Sequence, residues 1–425
     1  MHEVVVPRPD RYAHRTSRTV VTVLDAAGRP VADAQVQVEQ RRHEFGFGNI
    51  GFDLIPLANH EREVRRNVFG GAHENLERLA ELYLDLFNAA TLPFYWRSFE
   101  PERGRPDTAR LRATAEWFAA HGVMVKGHPL LWHTLAPQWL LPLSDDEVEA
   151  AIRARITRDV TDFAGVIRTW DAINEAVILP VFTAEENAVT RLAQREGRLA
   201  MVRLAFETAR AADPGVTLLL NDFNMSPPYE RLVEECLAAG VRIDALGLQS
   251  HMHQGYWGEE KTLDVLERFS RFGLPLHMTE TTLLSGHLMP PEIEDLNDYQ
   301  VPDWPSTPEG EERQADEVVR HYTTLFAHPA VQAATYWGLT DDGSWLGAPS
   351  GFVRRDATTK PSYDALHALV KGEWWLPAHA VATDAAGSFV LDAYRGDYTV
   401  TAAGDVGSVT LAAGSPAVTA RLAPR

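Results

Sequence analysis

Two glutamates in this sequence end short, apolar, β-prone segments, and their chemistry suggests a shared role. Glu175 follows Asn174 in "TWDAINEA" (169–176), and Glu280 ends "LHMTE" (276–280). Two carboxylates about 5–5.5 Å apart can hydrolyse a glycosidic bond with retention, one as nucleophile and the other as proton donor. The charge of the nucleophile raises the pKa of the donor and so keeps it protonated. A separate salt bridge for each glutamate is the alternative that spacing alone leaves open.

Eight short β-prone runs alternate with helical patterns between residues 44 and 341. The helical segments carry apolar residues at helical spacing and end at a glycine. Strands that are apolar on both faces and joined by helices predict an α/β fold with a parallel sheet, and eight of them favour a (β/α)8 TIM barrel. An open doubly wound sheet is the alternative, although no Gly-rich phosphate loop follows the first strand. The runs are "EFGFGN", "AATLP", "VMVKGHPLLW", "TWDAINE", "TLLLNDF", "ALGLQSH", "LHMTETT" and "AATYWGLTD".

Polar and aromatic residues gather near the carboxyl ends of these predicted strands. A barrel brings those ends to one rim, where its catalytic groups normally lie. Strand ends are also polar simply because loops are polar, but Trp, His and Glu fit that explanation less well than Asn and Asp. The residues are His128, Asn174, Glu175, Asn221, Asp222, Gln249, His251, Glu280 and Trp337.

The two ends of the chain have a different pattern from the predicted barrel, 43–377. Residues 16–42 and 378–425 alternate apolar and polar side chains around glycine turns, which predicts strands and hairpins. "DAAGRPVADAQVQV" and "TDAAGSFVLDAYRGDYTVT" resemble the two halves of a carboxypeptidase-regulatory-like, transthyretin-type β-sandwich. We therefore expect one small sandwich formed by the N- and C-terminal segments, with residues 1–15 as an N-terminal extension. Two unrelated extensions are the alternative.

Composition restricts the partners and the location. A formal net charge of −19 argues against nucleic acid, whose phosphates need clustered Lys and Arg. Neither a basic amphipathic run nor an apolar segment long enough to span a bilayer is present, so no membrane partner is expected. The start "MHEVVVPRPD" shows no secretory signal, and the single Cys236 fits a reducing compartment, which predicts a cytoplasmic location. No feature of the sequence indicates the oligomeric state.

Several stretches, in order along residues 43–370, resemble glycoside hydrolase family 10, typified by endo-β-1,4-xylanases. They are "FEPERGR", "VKGHPLLWHTLAPQWL", "TWDAINEA", "IDALGLQSHMH", "LHMTE" and "YWGLTDDGSWL". The resemblance implies a carbohydrate substrate, no cofactor and no metal, with Glu175 as acid/base and Glu280 as nucleophile. It further implies that Asn174 and His128 bind the sugar being cleaved and that Gln249 and His251 lie beside the nucleophile. Apolar ring faces for the sugars would come from Trp132, Trp337 and Trp345.

The sequence also departs from the family pattern. Thr91, Leu92 and Tyr95, in "TLPFYW", replace a Glu, an Asn and a Lys that hold a xylan chain on its glycone side. Loss of hydrogen-bonding partners weakens the hold on hydroxyls. Thr282 replaces an Asp that partners the histidine at position 251, which leaves the charge and orientation of His251 open.

Two long loops would lie on the catalytic rim, at 51–79 and 285–316. Long rim loops usually shape specificity, although disorder is an alternative for the acidic second loop. Together with the changed glycone side, where Tyr95 would face the substrate, they predict a retaining β-glycosidase acting on a short or non-standard β-glycoside.

Three other functions fit parts of the sequence. A conventional endo-β-1,4-xylanase follows from the resemblance alone. A metal-dependent barrel hydrolase would use His128, His133, His251 and His253, but no helix-borne H-E-x-x-H motif occurs. A non-catalytic sugar-binding barrel is suggested by the lost glycone-side residues, yet a binding protein gains nothing from two carboxylates that repel each other.

Overall fold

The computed structural model describes residues 2–61, 74–342 and 344–424. Its strands are β1 Glu3–Val5, β2 Thr16–Leu24, β3 Gln35–His43, β4 Gly46–Ile50, β5 Ala89–Pro93, β6 Met124–His128, β7 Ile167–Asn174, β8 Thr217–Asp222, β9 Ala245–His251, β10 Leu276–Thr282, β11 Val331–Tyr336, β12 His379–Ala382, β13 Ser388–Tyr394, β14 Gly396–Ala402, β15 Asp405–Leu411 and β16 Ala417–Arg421. Its α-helices are α1 Ile55–Ala58, α2 Leu76–Leu86, α3 Trp96–Phe99, α4 Thr108–Ala120, α5 Asp145–Asp162, α6 Ala188–Glu196, α7 Arg198–Ala212, α8 Pro227–Ala238, α9 Gly258–Ser270, α10 Pro308–Ala327 and α11 Pro361–His367.

Strands β4 to β11 form one closed barrel in chain order, with β11 returning beside β4. Each of the eight predicted strands is present, and helices separate them, so the predicted (β/α)8 TIM barrel is confirmed. The pairing aligns the strand ends that matter for function. Asn174 on β7 pairs with Asn221 on β8, and Gln249 on β9 pairs with Glu280 on β10.

Local sequence explains why these segments take their forms. Strand β8, "TLLLND", is buried from its second residue onward, as expected for a strand covered on both faces. Helix α5 begins with a capping box, in which Ser144 and Glu147 satisfy each other's backbone N–H groups. Gly127 on β6 is needed for packing, since a Cβ there would lie 2.1 Å from the ring of Trp170.

The described residues of the loop after β10 pack against one another. Leu284, Met289 and Trp304 form a buried apolar cluster with Ala348 from the loop after β11. Beside this cluster, Trp304 stacks on His287 with ring centroids 5.2 Å apart. These contacts favour a structured loop, and disorder of its acidic part stays an untested alternative. Residues 62–73 of the other predicted long loop lie outside the described part of the chain.

The terminal segments form two four-stranded sheets, each built from both ends of the chain. One sheet has the order β1-β13-β2-β16, and the other has the order β12-β3-β14-β15. Strand β2 pairs antiparallel with β13, and β3 pairs with both β12 and β14. The small β domain formed by the N- and C-terminal segments is thus present. Strand β1 lies in the segment 1–15 that we expected to be an extension. The exact domain boundaries and the carboxypeptidase-regulatory-like relationship stay predictions.

None of the helices in the described residues is both long and apolar enough to cross a membrane. Cys236 is fully buried in α8, and burial raises the pKa of its thiol to about 12. A thiol in this environment acts as a packing group.

Candidate active site

Glu175 and Glu280 belong to one buried hydrogen-bond network at the carboxyl ends of the barrel strands. Asn221 Nδ2 donates to Glu280 Oε1 at 2.8 Å and to Asn174 Oδ1 at 2.8 Å. Asn174 Nδ2 in turn donates to Glu175 Oε1 at 3.2 Å. The two carboxyl groups therefore share one site, and the amides of Asn174 and Asn221 connect them.

The backbone of Glu175 lies in the left-handed region, with φ of 57°. This conformation is uncommon for a residue with a Cβ and persists where surrounding contacts enforce it, often at functional sites. Two hydrogen bonds donated to residues of β8 hold it here. Glu175 N–H donates to Asn221 O at 2.8 Å, and Val177 N–H donates to Asp222 Oδ2 at 3.0 Å. Asp222 thereby anchors the turn that aims the Glu175 side chain.

The surroundings of Glu175 favour its neutral form. Burial is the largest effect and raises its pKa to about 8, with the charges of Glu280 and Asp222 acting in the same direction. Trp132 Nε1 donates to Oε2 at 2.8 Å, and Gln249 Nε2 donates to Oε1 at 3.3 Å, and both contacts oppose that rise. At neutral pH the side chain therefore carries a proton that it can donate.

Glu280 is buried as well, but its partners favour the charged form. Burial alone would raise its pKa, whereas the charges of His128 and His251 and the hydrogen bond from His251 bring it below the usual value. His251 Nε2 lies 3.1 Å from Oε2, and His128 Nε2 lies 4.0 Å from Oε1. A pair of carboxyl groups whose environments push their pKa values apart has the electrostatics of an acid and a nucleophile.

His128 is oriented by groups that the sequence analysis missed. Asp171 Oδ2 accepts hydrogen bonds from His128 Nδ1 and from Lys126 Nζ, both at 2.7 Å. Burial acts to raise the pKa of Asp171, but Lys126 and His128 outweigh it, and the pKa lies below its usual value. A charged residue within an apolar strand was the signal, since Lys126 and Asp171 interrupt β6 and β7.

His251 is oriented by Thr282, at the position where the resemblance predicted an Asp. Thr282 Oγ1 lies 2.9 Å from His251 Nδ1, so a hydroxyl takes the place of a carboxylate. The other ring nitrogen then faces Glu280. Trp345 packs beside His251, with ring centroids 4.8 Å apart.

The opposite side of the site is apolar and buried. Ile50, Phe52, Tyr95 and Trp337 form a buried cluster against which Trp132 and Leu135 pack, and we call the four buried residues the apolar wall. Phe52 was not predicted from the sequence. It follows β4 on the rim, and its ring lies 6.2 Å from that of Tyr95 and 5.8 Å from that of Trp337.

The other two departures are buried within β5. Thr91 and Leu92 have 1% and 0% exposure. Thr91 pairs with Ile50 on β4, and Leu92 lies beside Gly51. Of the three replaced positions, Tyr95 is the one whose side chain belongs to the apolar wall.

The ten residues predicted for the site are thus close together in the barrel, connected through the hydrogen bonds and ring contacts above. The histidines of the metal alternative have other surroundings. His128 and His251 contact carboxylates, while burial lowers the pKa of His133 and of His253 to about 3. Nowhere in 2–61, 74–342 and 344–424 do three or more His, Cys, Asp or Glu side chains gather in a way that could hold a metal ion.

Comparisons with known proteins match the barrel segment, and one of them extends beyond it. The family model described as glycosyl hydrolase family 10 matches residues 71–369. A β-1,4-xylanase of Dictyoglomus thermophilum is 28% identical over 306 residues, which is 67% of this chain and 81% of that protein. The anti-sigma-I factor RsgI6 of Acetivibrio thermocellus is 24% identical over 398 residues, which is 91% of this chain and 45% of that protein.

Solved structures are similar in fold. The structure of a family 10 protein from Paenibacillus barcinonensis has a TM-score of 0.61 at 24% identity, covering 76% of this chain and 94% of that one. At this identity the likeness supports the barrel fold alone.

Proposed function

The chain belongs to glycosyl hydrolase family 10 and is a hydrolase of O-glycosidic bonds, and from this premise we propose that it is a retaining β-glycosidase working by double displacement. The observation that carries the proposal is the opposite shift of two buried carboxyl groups in one network. Glu175 has its pKa raised to about 8, mainly by burial, while the pKa of Glu280 is lowered by its two histidines against the effect of burial.

In the first step Glu280 attacks the anomeric carbon and forms a glycosyl ester. Glu175 donates its proton to the leaving oxygen as the glycosidic bond breaks. Trp132 and Gln249 orient the proton donor, and His251 and Asn221 orient the nucleophile, each within 3.3 Å of a carboxylate oxygen.

In the second step Glu175, now ionised, takes a proton from water as that water attacks the anomeric carbon. The ester to Glu280 breaks, the sugar leaves with its original anomeric configuration, and both carboxyl groups return to their starting states. The amides of Asn174 and Gln249 hydrogen-bond to Glu175, and Gln249 also donates to Asn174, so binding of sugar hydroxyls by these amides requires exchange of some of these contacts.

For the substrate we propose a short or non-standard β-glycoside in preference to polymeric xylan. Tyr95 stands where the family has a cationic side chain, and it is 7% exposed within the apolar wall. A wall of ring faces supplies fewer partners for the hydroxyls of an extended xylan chain. The packed loop after β10 adds a further boundary on the same rim.

A conventional endo-β-1,4-xylanase is the second candidate, favoured by relatives such as the β-1,4-xylanase of D. thermophilum. Sugar binding without turnover is the third candidate, suggested by the changed glycone side where Tyr95 lies. The paired carboxyl groups argue for turnover, because burying two such groups together is costly and serves no purpose in a binding protein.

The test is hydrolysis of aryl β-xyloside, β-glucoside, β-galactoside, xylo-oligosaccharides and polymeric xylan. We expect turnover of at least one short substrate to exceed turnover of xylan, with the β-anomer appearing first in the NMR spectrum. Release of the α-anomer first would overturn double displacement. High turnover on polymeric xylan would favour the second candidate, and no turnover in any series would favour the binding protein.

A further inference from the structure

A single ring, that of His128 or of Trp132, separates Tyr95 of the apolar wall from each catalytic carboxyl group. Tyr95 lies 5.6 Å from His128 and 5.6 Å from Trp132, measured between ring centroids. His128 is the neighbour of Glu280, and Trp132 donates to Glu175. A sugar with its anomeric carbon between the two carboxyl groups must therefore lie with part of its ring close to Tyr95.

The wall is buried, whereas the loops beside the proton donor carry exposed apolar side chains. Ile50, Phe52, Tyr95 and Trp337 have exposures of 2%, 4%, 7% and 6%. Ile50 ends β4 and Phe52 follows it, while Tyr95 follows β5 and Trp337 follows β11. On the loops after β7 and β8, which carry Glu175 and Asp222, Val181 is 61% exposed and Phe223 is 46% exposed.

This asymmetry orients the substrate. The leaving oxygen must lie next to the group that protonates it, so the leaving group departs on the Glu175 side, over the exposed loops. The sugar that becomes bound to Glu280 extends the other way, with its non-reducing end towards Phe52 and Tyr95. The side with the exposed loops therefore receives the leaving group, and the side of the apolar wall receives the glycone.

Resting on the proposed double displacement, we infer that the apolar wall limits the glycone to a single sugar and that the enzyme is exo-acting, removing one residue from the non-reducing end. A second glycone sugar would have to displace Phe52 or Tyr95 from their mutual packing. It would also bring hydroxyl groups against ring faces and Ile50, where desolvation without matching hydrogen bonds is unfavourable. The substrate class is a β-glycoside with one free sugar at that end.

Trapping the glycosyl ester measures the glycone length directly. The probes are 2,4-dinitrophenyl 2-deoxy-2-fluoro β-glycosides with one or two sugars, in the xylose, glucose and galactose series. Intact mass gives the added mass, peptide mapping gives the labelled residue, and the time course gives the second-order labelling constant. We expect monosaccharide probes to label Glu280 at least about tenfold faster than their disaccharide counterparts.

Different labelling outcomes test the exo assignment and the double displacement. Labelling of Glu280 by a disaccharide probe as fast as, or faster than, its monosaccharide counterpart overturns the exo assignment and leaves the double displacement intact. Absence of any adduct on Glu280 in all three series overturns the proposed function itself, and the exo assignment with it.

Two variants test whether the wall sets this limit. Tyr95→Ala and Phe52→Ala each remove a ring from it, and we expect either to shift the labelling ratio towards the disaccharide by about tenfold or more. Phe272→Ala is the matched control, since it removes a ring that packs near Phe269 beyond the end of α9, away from the rim. An unchanged ratio in both folded wall variants would overturn the role of the wall.

Discussion

The two sides of the candidate active site are built on different physical principles. The side formed by β7 to β10 is a hydrogen-bonded network of Asn174, Asn221, Gln249 and His251 around two carboxyl groups. The other side is the apolar wall, held by ring packing. The first side sets which proton goes where, and we propose that the second sets which sugar fits.

The difference also predicts how each side responds to change. In a buried polar network, removing one partner leaves another group unpaired, so small changes are costly to the chemistry. A packed apolar surface can be reshaped at the cost of a cavity, with its neighbours partly relaxing. Family motifs accordingly lie mostly on the polar side, while Tyr95, a departure from the family, lies in the wall.

The largest effect should come from Glu280→Ala on the polar side. Without a nucleophile, kcat should fall by about 10⁵-fold, as for other groups that form the covalent intermediate. Hydrolysis of the best aryl β-glycoside measures it, with Glu196→Ala at the exposed end of α6 as a control. Residual activity within tenfold of the native enzyme would contradict the assignment.

Glu175→Ala should have a smaller effect, and its size should depend on the leaving group. Loss of general acid catalysis should lower kcat by about 10²- to 10⁴-fold for leaving groups that need a proton. Dinitrophenyl glycosides need none, so they should still form the ester quickly, and azide should then accelerate turnover and yield a β-glycosyl azide. Equal losses on both leaving groups, without azide rescue, would mean that Glu175 has another role.

The pH profile tests the electrostatics of the polar side. Activity requires Glu280 ionised and Glu175 protonated, so kcat/KM should fall as the pH rises through about 8, the pKa to which burial raises Glu175. The Trp132 hydrogen bond lowers that pKa, so Trp132→Phe should move the alkaline limb to higher pH. A limb that moves to lower pH, or stays in place, argues against Glu175 as the titrating group.

The smallest effect should be that of Thr282→Val. This change keeps the shape of the side chain but removes the hydroxyl that orients His251. The loss of one neutral hydrogen bond is about 0.5–1.5 kcal/mol, so kcat/KM should fall about 2- to 10-fold. A loss of several hundredfold would show that His251 depends on Thr282 far more than a single hydrogen bond allows.

The barrel was predictable because its signals are local. Each of the eight strands is an apolar run of ordinary length. Glu175 follows β7, and Glu280 lies near the carboxyl end of β10. Asp171 and Lys126 were missed because pairing between β6 and β7 brings them together from 45 residues apart. Phe52 was missed because its exposure and partners depend on the packing of Tyr95 and Trp337 around it.

The sequence by itself determined the kinds of elements, their order and the identity of the reactive groups, because periodicity and residue chemistry are properties of short segments. Only the tertiary structure decided that one glutamate is neutral and the other charged, since those states depend on burial and on partners from distant strands. It also decided that the ring of Tyr95 belongs to the buried apolar wall. Two identical carboxyl groups differ only through their surroundings, and those surroundings exist only once the barrel has closed.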